Sequence, residues 1–246
     1  MPKHEIEKTP EAGALATIDF TEDMGGGFEN ADSSCYAIPF LRVLQGLSPQ
    51  LKRTNAEYIP GAEEGDLCNS VTGTLWKREE GMKVIPCYFV RKFNEWAPNR
   101  GGFRGSHDVF EGERMLEECT MVEKQGMTHP NGNVIQDTRE HYLIGLTPDG
   151  NYEMLLLALV STELKNSKKW ITMMRNIRKK GVTVPMWSQI YNLTTVPEKN
   201  DRGEWMGLKI THVGELADIE LYNAAKGFRE MVRSGKAQAQ APEEET

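Results

Sequence analysis

The chain has 246 residues and a net charge of −7, from 29 Lys and Arg against 36 Asp and Glu. Its hydrophobic fraction of 39% and mean hydropathy of −0.53 fit a soluble globular protein, and no apolar run reaches the roughly 18 residues of a membrane-spanning helix. Four cysteines and five histidines are scattered without C-x-x-C or clustered spacing, so neither a metal site nor a cofactor is expected, and reduced thiols in the cytoplasm are the default.

Residues 1–34 hold two lysines against eight acids, include Gly25–Gly27, and show no periodicity. They read as a flexible acidic segment without a hydrophobic targeting core. At the other end, residues 236–246 form a low-complexity acidic tail containing Glu243, Glu244 and Glu245. With −6 and −2 at the two ends, the single domain expected over 35–235 carries about +1 and has room for local basic patches.

Order is expected to begin near "CYAIPFLRVLQGLSPQL", as a short helix or an extended docking segment. "GDLCNSVTGTLW" (65–76) has the alternation of one strand, with Gly73 as a bend. "MKVIPCYFVRKFNEW" (82–96) is a second strand, where Pro86 implies an edge position or a bulge. A glycine-rich loop follows over 97–110, then a short helix or hairpin arm at "ERMLEECTMVEKQG". Two more strands are joined by the turn Pro148-Asp149-Gly150-Asn151. The period then changes to helical over Thr162–Gly181, with Thr162 as cap and Trp170, Ile171, Met174 and Ile177 on one stripe. Strands over 185–198 and 204–214 follow, then a helix over about 216–233. The fold class expected is mostly β with inserted and C-terminal helices (α+β), an OB-type Greek-key β-barrel with extensions.

Three features carry chemistry. The stretch "RKFNEWAPNRGGFRGSH" interleaves Arg91, Lys92, Arg100 and Arg104 with Phe93, Trp96 and Phe103. Such a stretch can track single-stranded nucleic acid, cations on phosphates and rings on bases. Alternatively, the rings cover a barrel end and the arginines are solvated. The run Leu164–Lys180 has Lys165, Lys168, Lys169, Arg175, Arg178, Lys179 and Lys180 and no acid. That is an anion-facing surface or a solubility face. In the late strands, Trp187, Gln189 and Tyr191 share one face, as a base platform or as packed interior.

Catalytic signals are poor. "PDGNYEML" lacks the lysine a Glu-x-Lys nuclease motif needs, and no phosphate-binding loop or nucleophile elbow is present. An enzyme is not expected.

The segments "PFLRVLQGLSPQL", "GDLCNSVTGTLW", "VIPCYFVRKFNEWAPNRGGF" and "WSQIYNLTTVPEKNDRGEWMGLKI", with the acidic end "EEET", resemble the OB-fold single-stranded DNA-binding proteins of tailed bacteriophages. They span residues 39–246 in order. The resemblance implies sequence-tolerant binding that protects and organises single-stranded DNA in replication or recombination, inside the host cytoplasm. It nominates Arg91, Lys92, Phe93, Trp96, Arg100, Phe103 and Arg104 for the strand, then Lys168, Lys169, Trp187 and Tyr191. It also implies that Glu243, Glu244 and Glu245 contact replication or recombination proteins and compete with DNA. The chain departs from such tails by ending in Thr246 rather than an aromatic residue. A homodimer is left open. The alternative is a phage structural or host-interaction protein, docking its basic loop and helix on an acidic protein surface.

Overall fold

In this computed structural model the described residues are 26–27, 29–31, 35 and 37–237, except 202, and Arg100 is described by its backbone alone. Most of the acidic N-terminal segment, and Glu243, Glu244 and Glu245 of the tail, lie outside them.

In chain order the strands are β1 (Leu41–Val43), β2 (Leu67–Asn69), β3 (Leu75–Trp76), β4 (Met82–Trp96) and β5 (Phe103–His107). Helix α1 (Val109–Glu118) is followed by β6 (Thr120–Val122), β7 (Gly126–Thr128), β8 (Val134–Leu146) and β9 (Tyr152–Val160). Helix α2 (Leu164–Asn176) leads to β10 (Arg178–Lys179), β11 (Val182–Thr183), β12 (Gln189–Asn200) and β13 (Gly203–Glu215), and α3 (Ile219–Arg233) closes the order. Among the described residues the fold is mostly β, with antiparallel sheets and three α-helices, and no sheet closes into a barrel.

The large sheet follows the order β13-β12-β4-β8 and continues to β7 and β6. β9 pairs with β8, and β5 pairs with β4. Pro86 is accommodated where the pairing of β12 with β4 has ended at Val84 and the β4–β8 register shifts between Pro86 and Tyr88. The missing N–H therefore costs no ladder bond on the β12 side.

One face of this sheet packs Met82, Val84, Leu143, Leu155, Leu157, Tyr191 and Leu193 against Trp170 and Met174 of α2. The other packs Ile85, Tyr142, Ile144 and Leu156 against Ala225 and Phe228 of α3. The small β1-β2-β3 sheet lies between the β9 edge and β13. A parallel bridge joins Phe40 to Leu156, Gln45 exchanges two hydrogen bonds with the Met206 backbone, and Thr195 Oγ1 donates to Gly65 O.

Three element expectations are corrected. The loop expected over 97–110 holds β5, paired with β4, and the start of α1. Residues 65–76 are not one strand. Asn69 Oδ1 accepts from Val71 N and Thr72 N, and Gly73 turns left-handed, so the segment folds back as β2 and β3. The helix of 162–181 starts at Leu164 without a Thr162 cap and ends at Asn176. Lys180 and Gly181 both have positive φ, 51° and 82°. That pair makes the tight two-residue turn suited to a hairpin, so Arg178–Thr183 becomes β10 and β11.

Candidate nucleic-acid interface

On α2, Ser167, Trp170 and Met174 recur at helical spacing and are buried, which leaves Lys165, Lys168, Lys169 and Arg175 on the solvent side. The β10–β11 turn adds Arg178, Lys179 and Lys180, all exposed. Lys165 donates to Glu198, and Lys179 to Glu215. Among the described residues, Lys168, Lys169, Arg175, Arg178 and Lys180 have no ion-pair partner. Between α2 and β12–β13 runs a cleft of about 200 Å³ lined by Lys169, Lys209 and Glu198, among other residues. Lys165 and Lys179 apart, these cations carry charge that is not consumed by ion pairs among the described residues.

The stretch 91–107 is built differently. β4 alternates its side chains, so Arg91 and Phe93 take one face and Lys92 the other. Phe93 is fully buried with Met115 and Ile135. Gly112 lets α1 sit directly on the Phe93 ring. Arg91 stands 4.9 Å above that ring and donates to Asp137 at 2.9 Å and Glu113 at 2.6 Å. The Asp137 hydrogen bonds hold the guanidinium pKa above its usual value. Lys92 Nζ donates to the buried Glu140 at 2.7 Å, and Tyr142 Oη donates to the same carboxylate. Burial, with the Glu140 charge second, raises the Tyr142 phenol.

Trp96 is only 7% exposed and meets Phe103 edge to face at 5.6 Å. Phe103 is half-buried, and Arg104 is exposed on β5 without an ion pair among the described residues. The side chain of Arg100 lies outside the described residues. Arg91, Lys92, Phe93 and Trp96 are therefore tied into packing and ion pairs, and Phe93 presents no ring face to a base.

Of the late-strand candidates, Trp187 sits in a short 3-10 turn, not on a strand with Tyr191, and Arg229 lies 5.1 Å over its ring. Tyr191 is fully buried, edge-on to Trp170 at 5.6 Å, and burial pushes its phenol up to about 12. Lys168 and Lys169 thus share a surface with Lys209, whereas Arg104 stands on the separate β4–β5 pair.

A larger groove of about 900 Å³ lies between loop 44–50, the β9 edge and the start of β13. It brings together Phe40, Trp96 and Trp205, residues far apart in the chain. Its charge is acidic, as Glu57, Glu64, Glu140, Glu163 and Glu204 line it against Arg42. A phosphate chain is repelled from such a lining.

The family described as Pam3 phage gp34-like protein matches residues 8–238. The chain belongs to this family. The match points to a phage protein. No curated protein and no solved structure matches the chain.

In this gp34-like protein three groups that could move protons make structural contacts. His141 is buried, with Nε2 on Ser167 Oγ at 2.8 Å. Asp149 closes its turn by accepting from Thr147 and Asn151. His107 lies between Glu95 and Glu111, whose hydrogen bonds raise its pKa against the opposing effect of burial. No group of three or more His, Cys, Asp or Glu among the described residues could hold a metal ion. The acidic groove is the feature sequence reading missed. Loop 44–50 and Trp205 are about 160 residues apart, and only tertiary pairing joins them.

Proposed function

We propose that this gp34-like protein is a non-enzymatic, sequence-tolerant single-stranded DNA-binding protein of phage replication or recombination. The observation carrying the reading is the basic surface of Lys168, Lys169, Arg175, Arg178 and Lys180, which have no ion-pair partner among the described residues. Phosphates take up such charges and release counterions.

The strand order supports the reading. We take the order β9-β8-β4-β12-β13, with α2 between β9 and β12 in the chain, as that of an opened OB-type sheet. The β1-β2-β3 sheet stands where β9 and β13 would close such a barrel. In this proposal the strand follows α2 and the β10–β11 turn, Arg104 is an outlying contact, and the acidic tail competes for the same cations.

Fluorescence anisotropy with oligo-dT against a duplex of equal length is the test. Binding of oligo-dT with an affinity that falls steeply with salt is expected. Absence of binding at low salt overturns the proposal. A second reading, docking on an acidic protein, is favoured by Val182, 70% exposed beside the cations. In that case the charges saturate with a protein partner and oligo-dT does not bind.

A further inference from the structure

We propose that the acidic groove receives an extended basic peptide segment of a partner protein, added as a strand along the open edge of β9. The backbone supplies the first argument. Leu156 N–H points off that edge and donates to Pro39 O. Backbone groups alternate sides along an antiparallel strand, so those of Ala158 and Val160 point the same way. Pairing on this edge stops at the single Phe40–Leu156 bridge, and Ala158 and Val160 lie outside any ladder there. Both are part-exposed and line the groove. An open sheet edge inside a groove is a template for an added strand.

The polar lining names the chemistry of the occupant. Trp96 and Trp205 line the groove, and neither indole N–H has a hydrogen-bond partner among the described residues. Trp96 is more than nine-tenths buried. Such donors require acceptors, and peptide carbonyls are acceptors. Glu163 Oε1 is likewise unpartnered, while its Oε2 accepts from Asn166. Glu57 and Glu64 add charge, whereas Glu140 is neutralised by Lys92 beside it on the same face. Leu47, 76% exposed, forms an apolar lip. Lysine or arginine at alternate positions of a strand, with apolar residues between, meets all of these groups. Charge disfavours the acidic tail of the same chain, and it disfavours nucleic acid.

The test uses the full chain and a labelled Lys-Val-Lys-Val-Lys-Val-Lys peptide, with the Glu-Val version as control, read by anisotropy and backbone hydrogen exchange. The lysine peptide should bind at least tenfold more tightly than the glutamate peptide and slow exchange at Ala158 and Val160. The variant Glu57→Gln/Glu64→Gln/Glu163→Gln should lose at least tenfold of that affinity while keeping its melting temperature and oligo-dT affinity. Trp205→Phe should weaken peptide binding without altering exchange in the free protein. Equal binding of both peptides, or binding without protection at Ala158 and Val160, overturns the proposal. Protection of these amides by oligo-dT assigns the groove to nucleic acid and also overturns it. Protection that grows with concentration of the protein alone assigns it to a second copy, with the same result.

Discussion

The imidazole of His141 lies nearly flat on the indole of Trp170, with 4.7 Å between centroids and 21° between planes. Burial holds the His141 pKa down to about 3, from an ordinary value of 6.5, with the Arg139 charge a smaller cause. Between those values the unfolded chain takes up a proton that the folded chain refuses. Stability from this site is therefore complete above about pH 6.5 and declines as pH falls towards 3. The unfolding free energy from urea titrations should fall from pH 7.5 to pH 5, by up to about 1.4 kcal/mol per pH unit below 6.5. His141→Gln should flatten that slope, although it lowers stability at neutral pH. An unchanged slope would show that His141 does not govern it.

Lys92 anchors Glu140 diagonally across the β4–β8 pair, on the same face of the sheet. Lys92→Met leaves a buried carboxylate without its cation and should cost about 3 kcal/mol in chemical denaturation. Adding Glu140→Gln should recover much of that loss. Oligo-dT affinity of the folded Lys92→Met protein should match the parent, because this ammonium is already committed to the fold.

The opposite pattern is expected at Lys168, Lys169 and Arg175. Their replacement by glutamine should leave the melting temperature within a degree or two, since exposed charges without partners contribute little to stability. The slope of log affinity against log salt should become shallower by roughly 0.7 for each lost phosphate contact. An unaltered slope would remove these three residues from the interface.

Gly112 is a packing requirement. A Cβ there would stand 2.2 Å from the Phe93 ring. Gly112→Ala should therefore lift α1 and cost about 1–3 kcal/mol, seen as a lowered thermal midpoint with accelerated exchange in α1. DNA binding by the folded fraction should persist.

Deleting Ala241–Thr246 should tighten oligo-dT binding at low salt and make no difference at high salt, where screening removes the competition. Equal affinity at low salt would leave DNA binding standing and dismiss the competing tail.

The sequence was most legible where periodicity is long. β4 occupies the predicted 82–96, and Pro86 coincides with a register shift. The turn at 148–151 and the β12–β13 pair were equally visible, because turn chemistry and alternation are local. Helix α2 was visible in type but not in length, since its end depends on Lys180 and Gly181 adopting left-handed backbone together. The candidate site was legible only in part. The unpaired charge on α2 follows from a run without acids. The opposite state of Arg91 and Lys92 does not, because Asp137 and Glu140 reach them from β8, 46 and 48 residues later. Strand alternation told which residues share a face but not which face becomes interior, and Tyr191 illustrates the difference.

The exchange of hydrogen bonds between Gln45 and the Met206 backbone spans 161 residues. At translation rates of roughly 5–20 residues per second, that interval lasts about 8–30 s. The β1-β2-β3 sheet is complete at Trp76 and meets β9 at the Phe40–Leu156 bridge, but the loop held by Gln45 lacks its β13 partner until residue 206 is made. A nascent chain arrested before residue 206 should accordingly expose loop 44–50 to proteolysis, and release of the full chain should protect it.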